Sequence, residues 1–264
     1  MKGSTMSLTS TLVYFASQAV PRLSSRVLAS AGYTTDLDRF GGPDAFRLWD
    51  RSTAERQQSA WQQIIAAAAA GDPRADVQAM FDALATPPAA HASSLLEVGC
   101  GGGHNSEMIA TRRPELAYTG VDISEAMVEV ARQAYPDRDV RVGSAYSLDF
   151  GDSSFDIVFD GVALIHMDRW KRSIAEYSRV AASCVILHGL TVTDAAPTTL
   201  FAKYAYGQPT RELVLARDDL LAECRANDLE LTAVLPGLDY DLKRYIGVPS
   251  TSETWVLSVA PPTA

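Results

Sequence analysis

The sequence predicts an α/β protein whose central sheet is mostly parallel. From about residue 94 onward, short apolar stretches alternate with stretches that repeat apolar residues at helical spacing, which is the pattern of strand–helix–strand units. The first apolar stretch, Leu95–Val98, runs into a turn with four glycines within five residues and then into a helix-forming segment. The last one, Glu253–Val259, follows a connection without helical spacing, so we expect the final strand to lie antiparallel to its neighbours.

The region before residue 90 differs from the rest because it has helical signals and no strand alternation. Two predicted helices, separated at Gly71, each carry a row of residues at helical spacing. We therefore predict an N-terminal helical cap or lid over residues 1–90 and an α/β domain over residues 91–264. The rows are Phe46, Trp49, Thr53, Gln57, Trp61, Ile64 and Ala68 in the first helix, and Val77, Met80, Phe81 and Leu84 in the second.

Composition and charge exclude several classes of protein. The chain has 264 residues and a formal net charge of −9, which argues against a nucleic-acid surface because such surfaces are basic. Ser and Gln dilute the apolar stretch Thr11–Val20, and no run reaches the roughly 18 apolar residues of a spanning helix. Neither a signal peptide nor a membrane segment is therefore expected. The 3 scattered cysteines fit a reducing compartment, so we expect a cytoplasmic protein.

The elements after the glycine turn follow one another at regular intervals. Ser124 and Asp168 stand where they would cap the helices that follow two of the strands. The segment from Leu190 to Thr210 is less regular, and we interpret it as a long connection. The later predicted elements are the strands Leu116–Val121, Val140–Val142, Phe155–Phe159, Ser183–Leu187, Leu229–Leu235 and Glu253–Val259, with a late helix around Asp218–Ala226.

The glycine turn is the motif with the clearest chemical meaning. Glycine at Gly99, Gly101 and Gly103 permits unusual dihedrals and lets a ligand approach the backbone at the positive end of a helix. A dinucleotide fingerprint would have the spacing G-x-G-x-x-G, but His104 occupies the place of its last glycine. The order here is E-x-G-x-G-x-G, led by Glu97.

Together with two later segments, this motif resembles the class I S-adenosylmethionine-dependent methyltransferases, in the branch that acts on small molecules. The resemblance runs from about Ser94 to Val259. It implies a three-layer, doubly wound, Rossmann-like sheet of seven strands in the order 3-2-1-4-5-7-6, the last strand antiparallel, with the cofactor across the carboxyl ends of the strands. The matching segments are Leu96–Gly103, Gly120–Ser124 and Ser153–Phe159, the last followed by Leu164 and His166.

The resemblance also implies roles for the matched positions. The glycines would close on the methionine part of S-adenosylmethionine, Asp122 would accept from both ribose hydroxyls, and Ile123 would pack on the adenine face. Where the family often has an acidic residue near the adenine, this chain has Ser144, whose hydroxyl can accept, and Ala145, whose amide can donate. The predicted cofactor-binding residues are Glu97, Gly99, Gly101, Gly103, Asp122, Ile123, Ser144, Ala145, Tyr146, Asp160 and Gly161.

Histidines near the strand ends are candidates for a catalytic base. Methyl transfer is an in-line displacement, so the protein mainly positions the nucleophile and excludes water, and a base is useful when the acceptor is a hydroxyl. His166, just beyond the fourth predicted strand, is the first candidate, with a structural role as its alternative. His188, after the fifth strand, is the second, and His104 is more simply a neighbour of the cofactor.

Aromatic residues are the candidate contacts to the acceptor, and plain packing is the alternative for each of them. Some lie in the helical cap and others in the connection that contains Tyr204 and Tyr206, which we expect above the strand ends. The histidines and carboxylates lack metal-ligand spacing, so we predict no metal. The predicted substrate-binding residues are Tyr14, Tyr33, Trp49, Tyr204 and Tyr206.

The sequence therefore predicts methyl transfer from S-adenosylmethionine to a hydroxyl, amine or carbon nucleophile of a small molecule, in specialised metabolism, with S-adenosylhomocysteine as the product. Two alternatives stay open: a nicotinamide-dependent oxidoreductase, and a non-catalytic protein that binds S-adenosylmethionine. The expected partner is a small-molecule acceptor, without nucleic acid or membrane. Helical ends of this kind often dimerise, so a homodimer is a further expectation.

Overall fold

The computed structural model describes residues 32–40, 46 and 49–260. Its helices are α1 (Arg51–Ala69), α2 (Ala75–Ala85), α3 (His104–Arg112), α4 (Glu125–Ala134), α5 (Trp170–Val180), α6 (Arg217–Ala226) and the short α7 (Lys243–Ile246), with 3-10 turns at Leu37–Phe40, Ala89–His91 and Leu164–His166. Its strands are β1 (Ser94–Val98), β2 (Ala117–Asp122), β3 (Asp139–Val142), β4 (Phe155–Gly161), β5 (Ala181–Thr193), β6 (Thr199–Ala205), β7 (Gln208–Ala216), β8 (Leu229–Pro236) and β9 (Thr251–Val259).

The strand order confirms the fold class that the sequence predicts. Strands β3, β2, β1, β4 and β5 lie side by side in that order and all pair in parallel. Strand β9 then lies antiparallel between β5 and β8. These are the seven strands of the order 3-2-1-4-5-7-6, and the expected antiparallel last strand is β9.

Two strands were not predicted, so the sheet formed by the described residues has nine strands instead of seven. The segment interpreted as a long connection is the hairpin β6–β7, which joins the sheet where the end of β5 pairs in parallel with β7. Its two turn residues, Tyr206 and Gly207, have φ angles of 50° and 85°. Positive φ at both positions is the geometry of a tight hairpin turn, which usually carries Asn-Gly and was therefore hard to recognise in Tyr-Gly.

Helices cover both faces of the sheet, because successive apolar side chains of the central strands point to opposite faces. Val158 of β4 belongs to a core that includes Ile174 and Tyr177 of α5 and residues of α6. Its neighbour Ile157 belongs to the opposite core, which is closed by Met80 of α2 and by residues of α3. The parallel strands are therefore buried on both sides, as in other doubly wound sheets.

Helices α1 and α2 differ in how they join the rest of the protein. Helix α2 is part of the core, because Met80 and Leu84 are buried with Leu95 and Val256 of the sheet. Helix α1 instead lies across α3 and α4 near the glycine turn. The division at residue 90 into a cap and an α/β domain stays a prediction. None of the helices in the described ranges is both long and apolar enough to cross a membrane.

A buried carboxyl group links β1, β2 and α3 below the glycine turn. Glu97 is fully buried; its Oε1 accepts a hydrogen bond from Asn105 Nδ2 at 2.6 Å and its Oε2 accepts one from Tyr118 OH at 2.5 Å. Burial raises the pKa of Glu97 to about 8, although both of these hydrogen bonds act to lower it. The carboxyl group is therefore protonated in the folded protein at neutral pH.

This shift in pKa predicts a loss of stability as the pH rises. An acid whose pKa is raised by folding from 4.5 to about 8 disfavours the folded state progressively between those two values. The Gln amide keeps the shape, its oxygen can accept from Asn105 Nδ2, and its NH2 group can donate to Tyr118 OH in the same way as the O–H of a neutral carboxyl group. We therefore expect Glu97→Gln to match the wild type near pH 5. At pH 8 the free energy of unfolding of the variant should be higher by roughly a few kcal/mol. Denaturant unfolding across this pH range measures the difference.

Glu230→Gln serves as the control, because Glu230 is an exposed carboxylate on β8 and its replacement should change stability by less than about 0.5 kcal/mol. A Glu97→Gln protein that is less stable than the wild type at pH 8 would contradict the assignment of a protonated Glu97.

Candidate functional site

The glycine turn is tightly packed and left-handed at three positions. Gly99, Gly101 and Gly103 have φ angles of 73°, 53° and 80°, a region that other residues rarely adopt. A Cβ on Gly99 would overlap the side chain of Ala163, which follows β4. Gly103 is the N-cap of α3, so the turn delivers backbone N–H groups at the positive end of that helix.

Asp122 at the end of β2 holds the glycine turn in place. Its Oδ2 accepts a hydrogen bond from the Gly101 N–H and its Oδ1 accepts one from the Ser124 N–H, each at 2.8 Å. Burial raises the pKa of this carboxyl group, while the two amides act to lower it. Each oxygen keeps a further lone pair for a hydroxyl donor. Ile123 beside it is 50% exposed, and Ser124 caps α4 by accepting from the Met127 N–H.

The turn after β3 places the next predicted residues at the same edge of the sheet. Ser144 Oγ accepts from the Tyr146 N–H at 3.2 Å, and Tyr146 OH donates to Asp168 Oδ1 at 2.7 Å. The Arg169 guanidinium lies over the Tyr146 ring, 4.2 Å from its centroid. The predicted capping role of Asp168 is therefore wrong, because its carboxylate is turned to Tyr146 and α5 begins without a side-chain cap.

Asp160, predicted at the methionine end of the cofactor, turns its side chain into the protein. Its Oδ1 accepts from the N–H groups of Ala163 and Leu164 at 2.9 Å each, and its Oδ2 accepts from Tyr177 OH at 2.7 Å. Burial raises its pKa to about 6. The carboxyl group thus holds the 3-10 turn that carries His166, and only the backbone of this residue remains for a ligand.

Gly161, the last residue of β4, is a point of close approach. A Cβ at this position would overlap the buried side chains of Asn105 and Glu97. Glu97 itself lies below the glycine turn with both oxygens hydrogen-bonded, so its side chain supports the turn from within.

His166 has a defined tautomer. Its Nδ1 lies 2.9 Å from the backbone carbonyl oxygen of Arg211 on β7. A carbonyl oxygen can only accept, so Nδ1 carries the proton and Nε2 of the neutral ring has the lone pair. The ring lies edge-on to Trp49, with centroids 6.0 Å apart. This geometry leaves Nε2 as the basic atom beyond the carboxyl end of β4.

The tip of the hairpin brings two predicted substrate contacts together. The ring of Tyr206 lies edge-on to Trp49 at 5.4 Å, and its hydroxyl accepts from Trp61 Nε1–H at 3.3 Å. Arg56 of α1 donates to the Tyr206 carbonyl oxygen at 2.9 Å. These contacts bring together the start of α1, the tip of the hairpin and the end of β4. We call the three side chains that meet there, Trp49, Tyr206 and His166, the aromatic wall.

The other predicted substrate residues lie elsewhere. Tyr33 stacks on Phe201 and Tyr245 and shares a hydrogen bond with Tyr240 OH at 2.9 Å, in a separate cluster behind the hairpin. Tyr204 lies edge-on to Phe40 with centroids 5.0 Å apart. Tyr14 lies outside the described residues.

His188 and His104 are buried and uncharged. His188 Nδ1 is 2.8 Å from Thr254 Oγ1, and burial lowers the pKa of this imidazole to about 4. His104 stacks on Trp61 with centroids 4.1 Å apart, burial lowers its pKa to about 3, and its Nδ1 has no hydrogen-bond partner in the described part of the chain. Within that same part, no group of three or more His, Cys, Asp or Glu residues is arranged to hold a metal ion.

Sequence reasoning missed the residues of α1 that cover the glycine turn. The Gly102 N–H donates to Gln57 Oε1 at 3.3 Å, and Gln58 Nε2 donates to Tyr135 OH at 2.9 Å. Gln57 is 8% exposed, and Gln58 Oε1 is buried without a partner among the described residues. A signal was present, since Gln57 is a polar residue within the mostly apolar row of its helix.

Comparison with known proteins supports this description. Residues 96–186 match the family model for a methyltransferase domain. Over 100 residues the chain is 33% identical to a malonyl-[acyl-carrier protein] O-methyltransferase of Methylococcus capsulatus, covering 37% of this chain and 35% of that protein. Over 147 residues it is 29% identical to a phthiotriol/phenolphthiotriol dimycocerosates methyltransferase of Mycobacterium ulcerans, covering 54% and 53%. The chain thus spans between about a third and a half of the length of these relatives.

Solved structures share the fold at low identity. The magnesium protoporphyrin IX methyltransferase ChlM of Synechocystis PCC 6803, solved with bound S-adenosylhomocysteine, aligns with a TM-score of 0.54 at 15% identity, over 78% of this chain and 94% of that one. The [4+2]-cyclase SpnF aligns with a TM-score of 0.54 at 16% identity, over 82% and 98%. The residues that match the methyltransferase-domain model, 96–186, contain the glycine turn and the strands β2 to β4, and the strand order is that of the fold these structures share.

Proposed function

We propose that the protein transfers a methyl group from S-adenosylmethionine to a nucleophile of a small molecule. The observation that carries this proposal is the strand β1, glycine turn and helix α3, with Asp122 at the end of the neighbouring strand β2. This arrangement lies within the residues that match the methyltransferase-domain family.

The residues at the glycine turn fit the cofactor. The side chains of α1 cover the backbone at Gly101 and Gly102, and Gln57 Oε1 and Gln58 Oε1 lie 3.0 Å and 3.1 Å from where a Cβ would stand, so a larger residue at either position would need a shift of α1. The free lone pairs of Asp122 suit the paired hydroxyls of a ribose, and the exposed side chain of Ile123 suits a purine face. Ser144 and the Ala145 amide lie in the next turn along the same edge.

The chemistry divides between the ligand and the chain. When bound, S-adenosylmethionine supplies a methyl group on a sulfonium, which reacts by in-line displacement. The chain positions the acceptor, excludes water and accepts a proton. Trp49 and Tyr206 exclude water from the end of β4, and His166 Nε2 accepts the proton of the attacking group.

The proposed base, His166, favours an acceptor group that must be deprotonated. A hydroxyl is a poor nucleophile until it is deprotonated, whereas a neutral amine attacks without help. The fixed tautomer of His166 therefore supports a hydroxyl acceptor held against the aromatic wall. The curated relatives act, by their names, on a malonyl-acyl carrier protein and on phthiotriol-type compounds. We extend this to the chain as a role in specialised metabolism.

Ligand binding distinguishes a methyltransferase from a nicotinamide-dependent oxidoreductase. Calorimetry should show micromolar binding of S-adenosylhomocysteine and no binding of NAD⁺. Asp122→Asn should weaken the binding of S-adenosylhomocysteine by about tenfold or more, because the amide loses both the charge and an acceptor for the ribose hydroxyls.

Asp137→Asn is the matched control, since Asp137 is exposed just beyond α4 and the same change there should leave the affinity within about twofold. Binding of NAD⁺ in place of S-adenosylhomocysteine would overturn the proposed function and favour an oxidoreductase.

Removal of the His166 imidazole tests its proposed role as the base. With methyl-labelled S-adenosylmethionine and a library of small hydroxyl compounds, the wild type should give a product heavier by one methyl group. His166→Ala should lower kcat by about 100-fold or more, while the Kd for S-adenosylhomocysteine changes by less than about twofold.

His91→Ala provides the comparison, because His91 is exposed in the 3-10 turn before β1 and its loss should leave kcat unchanged. Unchanged turnover in His166→Ala would assign His166 a structural role. The absence of methylated product from any acceptor would instead support a non-catalytic cofactor-binding protein.

A further inference from the structure

Two arginine side chains lie beyond the carboxyl end of β4, in a protein whose formal net charge is −9. Arg169 is the N-cap of α5, and Arg211 lies on β7. In the described part of the chain, neither guanidinium group forms an ion pair with a carboxylate. The hydrogen bond from Tyr146 lowers the pKa of Asp168, and the charges of Arg169 and Arg211 lower it further. Two cations therefore flank one carboxylate here, and the local charge is positive.

Arg211 connects this charge to the proposed base. Its backbone carbonyl oxygen lies 2.9 Å from His166 Nδ1, the contact that fixes the tautomer of the ring. Its guanidinium carbon lies 5.4 Å from the centroid of the Phe46 ring, and Trp49 lies edge-on to His166 at 6.0 Å. The two aromatic rings, three residues apart in the chain, thus lie against the guanidinium and the imidazole.

The pairing of the hairpin strands leaves the Arg211 side chain without a neutralising neighbour. Arg211 pairs with Ala202, so its side chain shares a face of the hairpin with Tyr204, two residues further along β6. Glu212, the next residue in the chain, points to the opposite face and pairs with Lys203 Nζ at 2.8 Å. Among the described residues, the Arg211 guanidinium has no hydrogen-bond acceptor.

An anionic ligand fits this guanidinium. The side chain is partly buried, and a charge removed from water without a partner costs free energy. The planar fork of five N–H donors matches the oxygens of a carboxylate or a phosphate. Arg169 is exposed, so its charge attracts the same ligand more weakly.

We propose that the acceptor carries an anionic group, a carboxylate or a phosphate, in addition to the hydroxyl that is methylated, and that Arg211 binds this group. The assignment rests on the proposed function, because it takes the hydroxyl site at His166 as given. Arg211 then selects the acceptor with its guanidinium and holds the base with its backbone carbonyl. It is a specificity-determining residue and touches no reacting atom.

Acceptors that differ only in charge provide the test. Hydroxybenzoates and hydroxyalkanoates are compared with their primary amides, and hydroxyalkyl phosphates with the parent diols. With methyl-labelled S-adenosylmethionine, the wild type should methylate the anionic member of a pair with a kcat/KM about 30-fold higher or more. Mass spectrometry after mild alkali, which removes a methyl ester and spares a methyl ether, should place the methyl group on the hydroxyl.

Variants of Arg211 separate binding from positioning of the base. Arg211→Gln should raise the KM for the anionic acceptor by about 30-fold. The kcat, the kcat/KM of the neutral partner and the Kd for S-adenosylhomocysteine should stay within about threefold. Arg211→Lys should recover part of the loss, because the charge remains while the fork is lost. Arg225→Gln is the control, since Arg225 is exposed at the end of α6, which leads to the opposite edge of the sheet, and it should change none of these values.

The outcomes distinguish this assignment from the proposed function. Equal kcat/KM for charged and neutral members would overturn the assignment and leave the proposed function standing. An unchanged KM in Arg211→Gln, a methyl ester as the product, or a loss of kcat for both members of a pair would do the same. A preference confined to carboxylates or to phosphates would support the assignment and identify the group. Absence of a methylated product from every compound would overturn the proposed function together with the assignment.

Discussion

The site depends on the close contact between the segments that follow β1 and β4. Because β1 lies between β2 and β4 in a parallel sheet, both segments leave the same edge and meet there. Gly99 has no room for a side chain beside Ala163, and Gly161 has none beside Asn105 and Glu97. Two of the glycines thus serve packing between protein segments. This contact fixes the backbone that a ligand would meet.

Helix α1 connects the two halves of that edge. At one end of the site Gln57 contacts the glycine turn, and on the hairpin side Arg56 and Trp61 hydrogen-bond to Tyr206. The backbone carbonyl of Trp49, just before the helix, accepts from the Ser124 hydroxyl beside Asp122. In the proposed function, the segment formed by Trp49 and α1 therefore covers both the cofactor and the acceptor. This cover is a structural reason for the exclusion of water.

Sequence reasoning succeeded where the structure is local. The glycine turn before α3 and the cap that Ser124 provides for α4 each involve residues close together in the chain, so their geometry follows from spacing. The strand order came from the family resemblance. The orientation of the Asp160 carboxyl group depends on Tyr177, 17 residues away, and could not be read from spacing.

The same limit applies to the hairpin and to α1. Nothing in the spacing of Tyr206-Gly207 separates a two-residue hairpin turn from a loop, because its usual Asn is replaced by Tyr. Gln57 meets Gly102 across 45 residues, a contact that only the folded chain reveals. A polar residue in a mostly apolar helical row is nevertheless a usable signal for such a contact.

The hairpin β6–β7 also bears on how such a protein diversifies. It is one continuous segment, and it is attached to the main sheet by only the pairs Val192–Leu215 and Thr193–Ala216. Leu213 and Leu215 of β7 belong to the core on one face of the sheet, whereas the described core on the opposite face contains no residue of the hairpin. Changes confined to the tip of the hairpin, at Tyr206 and Gly207, would remodel the aromatic wall and leave the glycine turn intact. In the proposed function, evolution or protein engineering could thus vary the acceptor molecule while the methyl donor stays the same.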